Sequence, residues 1–245
     1  MTTFPTILDY YASPNQREAE AAVLHFQPKG QKHRLVLDGS IYFPGGGGQL
    51  HDVGEIIGEN GGRLRVERVQ FDNGSIVHEG LLEAGSFEHL EPVRIRLDWN
   101  RRYQGMRLHT AGHLLHDAFL TLRPTGLVPR KAEHNRDPYV EYHGSLDARD
   151  QKPLEESIDA LVWADLPVVM REATFDELVA GCRFLPTNLP KNKPLRTVRI
   201  GNGELVPCGG VHVARTGEIG RVVVTAIHQT ADQTGSRVHY QIVDR

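Results

Sequence analysis

Two short stretches of this sequence carry residue types suited to holding a metal ion: His109-Thr110-Ala111-Gly112-His113 and Cys208-Gly209-Gly210-Val211-His212. On a helix, residues four apart stand one above the other on the same face, so both imidazoles of the first stretch can reach one ion. The second offers a thiolate and an imidazole around two glycines, with Pro207 in front. That suits a loop bending round an ion, because glycine accepts backbone conformations that a Cβ resists. Each pair alone also has an ordinary reading, as chance spacing or as a buried cysteine beside a turn. Together, His109, His113, Cys208 and His212 form the N,N,S,N donor set that zinc favours, and one Zn2+ per chain is the expected cofactor. His116, one turn beyond His113, is a weaker competitor. Four protein ligands close a tetrahedral site, as structural zinc centres do, whereas a hydrolytic ion needs an open position. The sequence leaves both forms open.

A third stretch is Pro44-Gly45-Gly46-Gly47-Gly48-Gln49. Successive glycines let backbone come close to a ligand or another segment, and freed N–H groups can bind a phosphate or carboxylate. Gln49 can both donate and accept hydrogen bonds. Gly45, Gly46, Gly47, Gly48 and Gln49 are therefore candidate substrate-binding residues, the plain alternative being a flexible hairpin tip. The sequence holds no Ser-His-Asp constellation, phosphate-binding lysine loop or dinucleotide fingerprint. No nucleotide cofactor is expected.

These residues must be positioned by regular elements. Residues 17–26, rich in alanine, read as a short helix. Brief β-type runs follow at 35–38, 41–43, 54–57, 64–66 and 75–78, separated by Asp38-Gly39, Asn60-Gly61 and Asn73-Gly74, and the alternating run 93–98 closes the region. Short strands with tight turns suggest a small β-barrel. From Asn100 to Leu122 the pattern is that of a long helix, ended by Arg123-Pro124 and Gly126. A strand at 139–142, a helix at 153–163 and a strand at 168–172 come next. A short helix at 175–180 capped by Thr174, and strands at 196–200, 220–227 and 237–243, complete an α+β part. The expected boundary lies near residue 98, giving domains 1–98 and 99–245.

Composition sets wider bounds. With 245 residues the chain can build one large or two modest cores. Two cysteines are too few for a disulfide framework, which favours a cytoplasmic protein with free or metal-bound thiols. No apolar run approaches the roughly 20 residues that span a bilayer, and the N-terminus has no basic flank before an apolar core. A net charge of −3 makes no overall case for a nucleic-acid partner. Arg101-Arg102, Pro129-Arg130-Lys131 and the stretch from Lys191 to Arg199 are local basic patches, with ordinary solvated charge as the alternative for each.

The stretch from Leu97-Asp98-Trp99 through His109-Thr110-Ala111-Gly112-His113 to His116 resembles the editing domain of alanyl-tRNA synthetases. So does Cys208-Gly209-Gly210-Val211-His212 with the residues up to Gly220, and Tyr42 to Gln49 looks like the glycine-rich motif of the same region. With no adenylation segment before these motifs, the chain looks like a free-standing alanyl-tRNA editing protein. The resemblance implies a translation-protein-like β-barrel followed by an α+β editing domain shared in part with threonyl-tRNA synthetases. It implies hydrolysis in trans of the ester joining serine, or glycine, to tRNA for alanine. His109, His113, Cys208 and His212 take the family's zinc role, and tRNA is the implied partner. No side chain stands out as general base, and the terminal ribose hydroxyl can substitute. Three positions depart from the family pattern: Gly45, where a threonine is common; Val211, where Cys-Gly-Gly-Thr-His is commoner; and Gly112, where a polar residue is frequent. Fewer hydroxyls weaken the case for serine, since a buried donor discriminates strongly. Two rival functions fit the same residues, a non-catalytic tRNA-binding module with structural zinc and a zinc hydrolase of small esters.

Overall fold

The computed structural model describes residues 5–123 and 127–244, and the chain divides into two units. The first comprises the described part of Met1–Gly46 together with Leu50–Gln104, and the second Gly47–Gln49 with Gly105–Arg245 as far as described. In order, the first unit holds β1 (Ile7–Leu8), α1 (Asp9–Ala12), β2 (Glu18–Lys29), β3 (Lys32–Leu37), β4 (Gly39–Ser40), β5 (Gly54–Gly58), β6 (Arg63–Asp72), β7 (Ser75–Ala84) and β8 (Pro92–Leu97). Six of these strands close a barrel in the order β2-β3-β7-β6-β5-β8. Closure leaves no open edge among the six. β8 shows why the chain chooses it: Val93, Ile95 and Leu97 are buried while the residues between them are exposed. The β6–β7 hairpin turns on Asn73-Gly74, both with positive φ, between the paired Asp72 and Ser75.

Three expectations are corrected here. Residues 17–26 are not helical, because β2 runs through them and pairs with β3 on one side and β8 on the other. Its alanines favour a helix locally, but strand pairing on both edges overrides that preference. Ile41, Tyr42 and Phe43 are buried yet belong to no strand. Their backbone is satisfied by side chains instead, Phe43 N–H by Asp52 (2.6 Å) and Ile41 C=O by Arg102. Asp38-Gly39 does not turn a hairpin, since Gly39 lies in β4 beside the parallel β1.

His78, buried in the barrel core, has a definite pH signature. His78 donates from Nδ1 to the Leu35 carbonyl (3.1 Å), so its Nε2 accepts from the Ser40 hydroxyl (2.9 Å). Burial pushes this imidazole down to about 4. An unfolded histidine, near pH 6.5, takes up a proton that the folded one refuses. Stability is therefore full above about pH 6.5 and falls as pH drops toward 4, by roughly 3 kcal/mol for this residue. Urea midpoints measured across that range should show a shallower acid slope in His78→Gln than in the wild type. Equal slopes would remove His78 from the explanation.

α2 (Trp99–Leu122) begins in the first unit and continues in the second. Asp98 caps it, its carboxylate accepting from Arg101 N–H (3.1 Å). Between Met106 and Leu120 no residue is exposed, the pattern of a helix buried all round. Pro124 and Gly126, expected to end it, lie outside the described residues. The second unit continues with β9 (Val128–Glu133), β10 (Tyr139–His143), α3 (Gln151–Trp163), β11 (Val168–Ala173), α4 (Phe175–Gly181), β12 (Leu195–Ile200), β13 (Val206–Pro207), β14 (Arg221–Gln229) and β15 (Gly235–Val243). One antiparallel sheet has the order β14-β15-β10-β9 and another β11-β12-β13. Thr174 caps α4 as expected, in a reciprocal box with Glu177. β9 was not foreseen. The basic residues it carries are ion-paired, Arg130 with Glu141 and Asp232, and Lys131 with Glu133.

Candidate metal centre

α2 supplies His109 and His113 from one face, their ring centroids 5.2 Å apart. Cys208 follows β13 directly, and its N–H donates to the Arg196 carbonyl (2.9 Å), which fixes where the loop leaves the sheet. The loop then brings Sγ of Cys208 to 3.5 Å from His109 Nε2 and 3.3 Å from His212 Nε2. Gly210 is required for that approach, because a Cβ there would stand 2.3 Å from His109 Cε1. The ligand atoms of His109, His113, Cys208 and His212 all lie within 4.8 Å of one another. Two sequence segments that could have been unrelated thus converge on one point.

Hydrogen bonds behind the ligands decide which nitrogen each ring offers. The Val211 N–H can only donate, so the Gln49 atom facing it (3.1 Å) is the carboxamide oxygen. That same oxygen then accepts from Nδ1–H of His109 (2.9 Å), leaving the Nε2 lone pair toward Cys208. Thr110 gives its hydroxyl proton to the Met106 carbonyl (2.7 Å), so toward His212 Nδ1 (3.2 Å) it can only accept. His212 is thereby held in the same tautomer, with Nε2 free. Gln49, expected to meet substrate, is placed by the structure against His109 and Val211.

The electrostatics agree with the hydrogen bonds. Burial first, then neighbouring histidines, depress His109 and His212 well below the ordinary imidazole range and push His113 down to about 3. Burial pushes the Cys208 thiol up to about 11, against a lowering by the Gly210 N–H. Three neutral imidazole lone pairs and a thiol that surrenders its proton on binding are what a zinc-type ion takes. The residues present therefore fit a metal ion.

A cavity of about 120 Å³ adjoins the quartet, with His113, His116, His134, Cys182, Phe184 and Val206 in its wall. His113 belongs to the ligand quartet, and His116 lies outside it. His134 was not singled out from the sequence. It follows β9 and its ring centroid is 4.4 Å from that of His109. No spacing marks it, since its partners are distant in the chain. Of the glycine-rich segment, Gly47, Gly48 and Gln49 belong to the second unit and Gly45 and Gly46 to the first. All four glycines have positive φ. Gly48 has the tightest surroundings: a Cβ would meet the Ala132 carbonyl at 2.4 Å. Its own carbonyl accepts from His134 N–H (2.8 Å).

Comparison with known proteins shows what the chain is similar to. Residues 11–101 match the family described as tRNA synthetases class II (A), and residues 195–239 match the second additional domain of threonyl and alanyl tRNA synthetases. Alanyl-tRNA editing protein AlaX-L of Pyrococcus horikoshii is 32% identical over 90% of this chain and 54% of its own length. The alanine–tRNA ligase of Hyperthermus butylicus is 32% identical over 96% of this chain and 25% of its own. That of Pseudothermotoga lettingae is 28% identical over 90% and 26%. The chain thus spans about half the length of the first relative and about a quarter of the ligases.

Proposed function

From the premise that this chain is a relative of the alanyl-tRNA editing proteins, we propose that it is a trans-editing hydrolase of mischarged tRNA for alanine. The observation that carries the proposal is the second-unit site itself: four converging ligands, two of them locked in the ligating tautomer, opening on a small cavity. The reaction adds water across the ester between the amino acid and the terminal ribose, releasing the free amino acid and a ribose hydroxyl. Ser-tRNA is the principal substrate and Gly-tRNA the second. His109, His113, Cys208 and His212 would hold Zn2+, which supplies Lewis-acid polarisation when bound. The chain's own contributions are positional. Gln49 and Thr110 orient the ligand rings. The positive-φ backbone of Gly45, Gly46, Gly47 and Gly48 is assigned to substrate contact.

In this reading residues 99–245 form the editing domain and residues 1–98 the barrel that accompanies it. tRNA is the partner, and the free thiols Cys182 and Cys208 suit the reducing cytoplasm. No helix among the described residues is long and apolar enough to cross a membrane. Of the basic patches, Arg102 does not offer itself to a phosphate, being buried against Asp52. The exposed Lys191 and Lys193 do.

A second reading, a tRNA-binding module with a structural ion, draws on the closed four-ligand set. Single-turnover assays separate the two. Purified chain is mixed with Ser-tRNA, Gly-tRNA and Ala-tRNA for alanine, and with a small serine ester. Release of serine from the mischarged tRNA with Ala-tRNA spared is expected. Inertness toward every charged tRNA would remove the editing proposal, and cleavage of the free ester alone would favour a small-ester hydrolase.

A further inference from the structure

α2 carries a glycine between its two ligand histidines, where alanine would favour the helix by about 1 kcal/mol. The reason lies in what fills the missing side chain's space. A Cβ on Gly112 would stand 2.3 Å from Cε1 and 2.8 Å from Nδ1 of His134, and 3.1 Å from the Tyr240 hydroxyl. His134 therefore brings the Cε1–Nδ1 edge of its ring against the bare backbone of the helix at Gly112, with the ring stacked on that of His109 at 22°.

Its tautomer follows from the same bookkeeping of protons used for the ligands. The Tyr240 hydroxyl has one proton and gives it to the Leu108 carbonyl (2.9 Å), so toward His134 Nδ1 (2.6 Å) it accepts. Nδ1 of His134 therefore carries the hydrogen and Nε2 the lone pair. That Nε2 has no hydrogen-bond partner among the described residues, although the residue is only 4% exposed and lines the cavity beside the quartet. His116 presents a second unused nitrogen there, a buried Nδ1 without a partner. Of the two, the His116 atom is the sealed one, and such an unpaired atom is costly, whereas His134 Nε2 keeps access to the cavity and is free to accept from a group bound there.

We infer that His134 is a substrate-binding residue whose Nε2 accepts a hydrogen bond from the bound aminoacyl group, and that Gly112 is glycine in order to seat it. The inference rests on the editing reading of the site. The aminoacyl group offers two donors of the required kind, the α-ammonium and, for serine, the side-chain hydroxyl. His134 is not one of the converging ligands, so its role is separable from metal retention.

The test uses the zinc-loaded full chain and two amide analogues that do not turn over, 3′-serylamino- and 3′-glycylamino-adenosine, with binding read by calorimetry. His134→Phe keeps the ring and its stacking but loses the lone pair. His134→Gln keeps an acceptor at the place of Nε2. His134→Phe and Gly112→Ser are expected to bind the seryl analogue about ten-fold more weakly, with His134→Gln near wild type and zinc content unchanged in all. Weakening for both analogues identifies the ammonium as the donor, and weakening for the seryl analogue alone identifies the hydroxyl. Wild-type binding by His134→Phe, or zinc loss in His134→Gln, overturns the inference, and His134→Ala repeats the comparison where His134→Phe does not fold. Deacylation is measured beside binding. A wild type that deacylates while His134→Phe binds normally defeats this inference alone, whereas a wild type that neither deacylates nor binds defeats the editing reading with it.

Discussion

Replacing Cys208 by serine or His109 by alanine is expected to abolish zinc binding and the proposed deacylase activity together. The wild type should carry about one zinc, as a four-donor site holds a single ion. Either substitution removes one donor from a set whose ligand atoms all lie within 4.8 Å of one another. Lewis-acid assistance is worth several kcal/mol, so deacylation should fall by on the order of a hundred-fold or more. Gln49→Leu tests the layer behind. It removes the acceptor shared by His109 Nδ1–H and Val211 N–H, and such outer partners are worth roughly 10–100-fold in metal affinity. Chelator competition should therefore rank wild type above Gln49→Leu, and Gln49→Leu above Cys208→Ser. Loading must also displace the Cys208 proton, held at about 11 in the metal-free chain. Affinity should accordingly climb about ten-fold per pH unit through neutrality. Full zinc content in both His109→Ala and Cys208→Ser would dismiss the centre.

The second large effect concerns stability and lies wholly in the first unit. Arg102 is buried with its Nε 3.1 and 3.0 Å from the two carboxylate oxygens of Asp52, and its remaining nitrogens donate to Asp52, to the Ile41 carbonyl and to the Pro14 carbonyl (2.8 Å). Asp52 also accepts from Phe43 N–H, and Asp52 N–H returns a bond to the Phe43 carbonyl (3.0 Å). The pair thus pins both ends of the segment that contains the four glycines. Asp52→Ala would leave a guanidinium buried without a counter-charge, which costs about 3–5 kcal/mol. Against a total stability of roughly 5–15 kcal/mol, that is a large share. Denaturant titration should show this loss for Asp52→Ala. The double variant Asp52→Leu/Arg102→Met should lose much less than the two single changes summed, because no lone charge remains. Strict additivity would contradict the account.

What the sequence made legible follows from how locally each feature is encoded. The two ligand motifs are each contained in five residues, so spacing alone exposed them. β8, α3 and α4 are likewise read from alternation, a proline in the first turn and a capping threonine. β2 was missed because its alanines report local preference, whereas its strand state comes from partners on both edges. Arg101-Arg102 looked like a surface patch because Asp52 is 50 residues away from Arg102. His134 and Tyr240 are 106 apart, and nothing in the sequence near either announces the other. The tautomers of His109 and His212 depend on a carboxamide and a hydroxyl whose orientation only three-dimensional neighbours fix. Chemistry-bearing types were visible; the shells that orient them were not.

The distance between the ligands along the chain has one more consequence. His109 and Cys208 are separated by 99 residues, so an ion held by both ties the helix near the middle of the chain to a loop close to its end. Because the site exists only in the folded chain, the ion's binding free energy adds directly to folding stability. The centre is then also a topological staple, reversible by chelation, in a chain with too few cysteines to make more than one disulfide.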